Sequence, residues 1–133
     1  MLEGEATIAK FTEVSQKYAK VVELKPDNYR ALDAWSETLI HLFHLSKDRR
    51  EATDFLDQAT NTAMQEKQLS KKGNYNLACI HAIKGDAEAA VEELKLCLTD
   101  DTLPSPEHLD ADDDLDSIRE SQLYIQFRES LES

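Results

Sequence analysis

Three sets of side chains have the types and spacing for chemistry. Glu37, His41 and His44 step by four and three, so one helix face can carry two imidazoles and a carboxylate, a combination that suits a divalent metal. No fourth ligand lies nearby, and the His-Glu-x-x-His order of a hydrolytic zinc helix is missing. Solvated or half-buried helix positions account for these residues as they stand. Cys79 and His81 point about 200° apart on an ideal helix, a poor arrangement for joint ligation. Asp110, Asp112, Asp114 and Asp116 alternate like the ligands of an EF-hand calcium loop. Leu115 stands where that loop needs its turning glycine, and Ser121 where it needs the closing bidentate glutamate. Acidic residues ahead of a helix also suit its macrodipole, so the run reads as capping and solvation. Nucleophilic catalysis has no better footing. There is no Gly-x-Ser-x-Gly elbow, and neither Cys79 nor Cys97 has a base at a recognisable offset. Three isolated glycines cannot form a phosphate loop. The expectation is a chain that is not an enzyme and uses no metal and no cofactor.

The elements that carry these residues read as helices. Ile8, Phe11, Val14, Tyr18 and Val21 form one apolar stripe, which Pro26 ends because the residue before proline leaves the α region. A second stripe runs Leu32, Trp35, Leu39, Leu42 and Phe43. Asp48 and Glu51 have capping-box spacing ahead of a third, Ala52, Phe55, Leu56, Ala59 and Ala63. Ser70 is the expected cap of a fourth helix containing Tyr75, Leu77, Ala78 and Ile80. Gly85 then closes it and Asp86 caps a fifth, with Ala87, Ala90, Val91, Leu94, Leu96 and Leu98 apolar. Ser105 and Pro106 read as N-cap and first residue of a short turn. A last amphipathic piece carries Ile118, Leu123, Ile125, Phe127 and Leu131. Five or six helices joined by short loops make an all-α fold.

Composition and charge narrow the function classes. With 133 residues, the chain suits one domain with a sizeable core, and only 3 Gly and 3 Pro argue against a turn-rich β-barrel. The net charge of −12 is lopsided: residues 1–99 hold 16 acidic and 13 basic side chains, residues 100–133 hold 11 and 2. That field disfavours nucleic acid and membrane surfaces as partners. No apolar run approaches the roughly 20 residues that span a bilayer. The first residues lack a basic and an apolar region for export, and the 2 cysteines read as a reduced pair, so a cytoplasmic location is expected.

Taken in pairs, the helices repeat. Leu77, Ala78 and His81 on one helix, Gly85 and Asp86 at the turn, then Ala90, Leu94 and Cys97 alternate large and small as close helix packing requires. Residues 74–98 thereby resemble a single tetratricopeptide (TPR) repeat. Leu32, Trp35, Ser36 and Leu39, answered by Ala52, Leu56 and Ala59, are similar to a repeat before it, and Val14, Tyr18, Val21, Leu24 and Pro26 to the end of another. Trp35 and Leu77 are 42 residues apart, against about 34 in the family. The excess falls in two pieces of about one helical turn, which predicts longer helices. The resemblance implies a TPR-like α-α superhelix in a single domain over residues 1–133. Its parts are an N-terminal half repeat (5–25), a degenerate repeat (28–66), the best-matching repeat (70–98) and an acidic C-terminal cap (99–133), the last similar to the closing segment of bacterial arrays.

Such an array implies a non-catalytic scaffold that binds a peptide or partner helix in a concave groove. Carried over residue by residue, the groove positions are Arg30, Asp33, Glu37, Ile40 and His41, then Lys72, Tyr75, Asn76, Cys79 and Ile83. The members of the family that clamp a C-terminal carboxylate use Lys and Asn where this chain has Asp33 and Glu37, so a neutral or basic protein segment is the expected partner. The half repeat leaves Ile8, Phe11, Val14 and Tyr18 in need of cover, from a preceding part of a longer protein or from a homodimer through the N-terminal helix. Two other readings stay open: a small metal- or calcium-responsive regulator using the acidic run or the histidines, and a self-associating structural unit.

Overall fold

Helix starts are set by short polar side chains that accept backbone amides. Asn28 Oδ1 accepts from Ala31 N at 3.1 Å, and Asp48 Oδ1 from Arg50 N at 2.8 Å and Glu51 N at 3.3 Å. These caps, with the break at Pro26, delimit α1 (Leu2–Leu24), α2 (Tyr29–Leu45) and α3 (Arg49–Ser70) in a computed structural model that describes residues 2–132. The fold is all-α, with no strand among the described residues. Its contacts divide the chain into two compact units, 1–70 and 71–133.

In the first unit α2 is the middle helix. Leu32, Leu39 and Leu42 are fully buried on it, each worth about 1.5–3 kcal/mol of apolar burial. Ser36 meets α3 at its small residues: its Oγ donates to the Ala59 carbonyl at 3.4 Å, and Ala59 and Ala63 are completely buried. On the other side Trp35 Nε1 donates to Ser15 Oγ at 2.9 Å, and the Phe11 ring stacks on His41 with centroids 5.4 Å apart. Both α1 and α3 pack on α2 rather than on each other, so the unit is an open three-helix layer. The 17 residues of α2 and 22 of α3 supply the extra turns that the sequence spacing requires.

The second unit holds α4 (Tyr75–Ile83), α5 (Ala87–Thr99), α6 (Pro106–Ala111), a 3-10 helix (Asp113–Ile118) and α7 (Gln122–Ser130). Gly85 takes φ +80° at the α4–α5 turn, a left-handed conformation that glycine adopts without strain because it has no Cβ, and Asp86 Oδ1 accepts from Ala89 N at 3.0 Å. Ser105 accepts from His108 N with Pro106 in first position. Ala78 and Ala90 share one core with Leu109, Leu115, Ile118 and Phe127.

Three local expectations are corrected. Ser70 ends α3 instead of capping α4; the cap is Asn74, whose Oδ1 accepts from Leu77 N at 2.9 Å. The connection between them is pinned by α5, through Gly73 N to Asp100 Oδ2 at 2.7 Å and Asn74 N to Glu93 Oε2 at 2.9 Å. On α5, Leu96 and Leu98 are exposed while Cys97 and Glu93 are buried. On α7 the buried residues are Tyr124 and Phe127, and Leu123 faces solvent.

Candidate functional site

Every exposed residue of α2 (Tyr29, Arg30, Asp33, Glu37, His41 and His44) falls within an arc of about 120° on an ideal helix. Packing of α1 and α3 on the rest of α2 produces that single open stripe. Four of the expected groove residues, Arg30, Asp33, Glu37 and His41, lie on it; Ile40 does not, being buried at 5% exposure. Asp33 and Glu37 are like charges one turn apart. Partial burial first, and the Glu37 charge second, hold the Asp33 carboxyl above the ordinary carboxylate range. His41 stacks on Phe11, and His44 sits edge-on to Phe43 at 5.1 Å. Glu37, His41 and His44 do not bring three ligating atoms together; among the described residues one other group does. Ile8, Phe11, Val14 and Tyr18 are half-buried, and among the described residues the exposed large apolar side chains of α1 are Val21 and Leu24.

The second row of expected groove residues has a different fate. Lys72 is exposed in the connection ahead of α4, Asn76 and Ile83 are half-buried, and Cys79 is buried. The Tyr75–Cys79 side of α4 meets the chain's own segment from α6 to the 3-10 helix. Tyr75 Oη donates to Asp112 Oδ2 at 2.5 Å, and Cys79 Sγ donates to the same oxygen at 3.8 Å. Ser117 Oγ donates to the Ala82 carbonyl, one turn further along α4. From α6, the His108 ring stands edge-on to Tyr75 at 5.6 Å, and its Nε2 lies 3.6 Å from Asp112 Oδ2. Leu109, Leu115 and Ile118 of this segment belong to the core of the unit, so it is a structural cover for α4.

The alternating aspartates do not converge as a calcium loop would. Asp110 forms a two-point pair with Arg128, both contacts 2.8 Å, and Asp116 pairs with Arg119 at 2.8 Å. Arg128 holds the Asp110 carboxyl below its usual range, and Asp110 with Glu132 pushes the Arg128 guanidinium up. Asp112 Oδ1 accepts from Asp114 N at 3.0 Å, capping the 3-10 helix, while Arg119 Nη2 donates to the Asp112 carbonyl at 2.6 Å. What does converge is Cys79 Sγ with carboxylate oxygens of Asp112 and Asp114, all within 4.8 Å of one another. Burial above all, then the charges of Asp112 and Asp114, pushes the Cys79 thiol up, which keeps it protonated and a poor nucleophile. Tyr75 is pushed up as well, by burial first and then by Cys79 and Asp112.

This grouping is invisible to local spacing. Cys79 and Asp112 are 33 positions apart, and each fails as a site beside its own sequence neighbours. Glu93 is the other residue missed, although Ala90, Glu93 and Cys97 step by three and four and mark a buried face. Compared with family models, with curated proteins and with solved structures, the chain matches none.

Proposed function

We propose that the chain is a non-catalytic, TPR-like interaction module of the cytoplasm that holds a neutral or basic protein segment along the α2 stripe. One observation carries the reading: the middle helix of an open layer presents a single exposed row, and Asp33 and Glu37 occupy its centre. Like charges one turn apart cost an isolated helix about 0.2–0.5 kcal/mol, a cost that a cationic partner removes. Opposite potential across such a surface sets partner choice and association rate. Burial pushes the Cys79 thiol up, which disfavours the thiolate that nucleophilic catalysis needs. No helix of the described residues is long and apolar enough to cross a membrane, in keeping with a site reached from water.

The experiment uses arrayed peptides of equal length, one set lysine- and arginine-bearing, one neutral and one acidic. The chain should capture basic peptides with an affinity that falls as salt rises, and neutral ones more weakly. The double variant Asp33→Lys, Glu37→Lys should lose the basic set while keeping its far-ultraviolet circular dichroism. Equal capture by the parent and the reversed chain refutes the reading.

A further inference from the structure

We propose that Cys79, Asp112, Asp114 and His108 form a binding site for a zinc-class divalent cation in the second unit. The donors are of three chemical kinds and come from three elements: a thiol on α4, an imidazole on α6, and two carboxylates at and just inside the start of the 3-10 helix. Three of the donor atoms already lie within 4.8 Å of one another, and His108 Nε2 approaches Asp112 Oδ2 at 3.6 Å. Zinc–ligand distances of about 2.0–2.3 Å put ligating atoms roughly 3.5 Å apart, so closure by about an ångström brings the thiol and the two carboxylates to ligating distance, and His108 is the fourth ligand drawn in from α6. Sulfur, nitrogen and oxygen together suit a borderline-soft ion with four ligands, whereas calcium needs six to eight oxygens and gains nothing from a thiol.

Arg128 reaches Asp110 and Glu132, Arg119 reaches Asp116 and the Asp112 carbonyl, and His108 faces the Asp112 carboxylate from α6. As the metal binds, the Cys79 S–H bond breaks, sulfur keeps the electron pair and donates it to the ion, and the proton goes to solvent. The thiol contact to Asp112 Oδ2 is replaced by the metal bond, while the Tyr75 hydroxyl continues to donate to the same carboxylate. Tyr75 is thus a positioning residue of the outer shell.

Cobalt(II) reports such a site by a thiolate-to-metal charge-transfer band in the near ultraviolet. Titrating the reduced full chain should give that band with one equivalent of cobalt, and zinc should displace it. Cys79→Ser should abolish the band and Cys97→Ser should keep it. Asp114→Asn should weaken cobalt binding by more than tenfold, and it keeps the test decisive if Cys79→Ser fails to fold. Tyr75→Phe should weaken binding by about 10- to 100-fold, the usual loss for an outer-shell partner. No band at stoichiometric cobalt, a band that survives Cys79→Ser, or calorimetric heat with calcium and none with zinc overturns the proposal.

Discussion

Gly73→Ala tests how the second unit is pinned. A Cβ at position 73 would lie 2.4 Å from Cys97 N, 2.6 Å from the Leu96 carbonyl carbon and 2.8 Å from Cys97 Cα. All three are backbone atoms of α5, so no side chain can swing aside. The position is not left-handed, which separates close approach from φ as the reason for glycine. Relief requires the connection to lift away from α5. That movement strains the bonds from Gly73 N to Asp100 and from Asn74 N to the buried Glu93 carboxylate. Hydrogen bonds to charged groups contribute about 1.5–3 kcal/mol each, and overpacking costs about 1–3 kcal/mol. With the bonds weakened and not fully lost, a destabilisation of about 3–5 kcal/mol follows, at the far end of single-residue effects. For a unit of this size that lowers the melting midpoint by at least ~10 °C.

The other two glycines are the controls. Gly4 has nothing within 4 Å of an added Cβ and lies in α1, so Gly4→Ala should stabilise by about 0.5–1 kcal/mol. Gly85 has open space but φ +80°, so Gly85→Ala should cost about 1–2 kcal/mol through backbone strain alone. Thermal and urea melts followed by circular dichroism give the order Gly73, then Gly85, then a gain at Gly4. Trp35, the single tryptophan, reports separately on the first unit. A Gly73→Ala midpoint at or above that of the parent chain refutes the close-contact argument.

Two further outcomes follow from charge and burial. Asp33 and Asp110 give opposite pH dependences. Asp110 is depressed by Arg128, so its contribution is present above the unfolded carboxylate value and is lost as pH falls through the lower folded one. Asp33 is raised, so its contribution is full below the unfolded value and is lost as pH rises through the higher folded one. Asp33→Asn and Asp110→Asn should therefore tilt the acid limb of stability in opposite senses, and tilts of the same sign in pH-dependent urea melts would contradict both assignments. In the C-terminal segment, Leu115→Ala should cost about 2–5 kcal/mol at a fully buried site, whereas Leu123→Ala, at 45% exposure, should stay within about 0.5 kcal/mol. Equal losses in denaturant melts would mean that the segment does not cover α4 as described.

Legibility from sequence tracks the range of each interaction. Asp48, Asp86 and Ser105 are readable as caps because the amides they accept lie two or three residues on. Ser70 misleads for the same reason: a good capping residue stands near the expected start, but the amide that must be met at Asn74 is served by Glu93, 19 residues away. The stripe of α2 is legible as a face because its period is local, yet whether Ile40 joins it depends on where α1 and α3 pack. Leu123 and Tyr124 differ by one position on α7, and the choice between them belongs to α5, which that helix packs against. Glu93 shows what residual signal a sequence can hold. A carboxylate at a position whose neighbours at −3 and +4 are Ala90 and Cys97 sits on a buried face, and a buried charge must be met by donors. The chain must therefore bring a distant amide to α5, and it does so at Gly73 and Asn74, where a side chain at position 73 would prevent the approach. The buried glutamate and the glycine opposite it are two halves of one long-range constraint, each unremarkable when read alone.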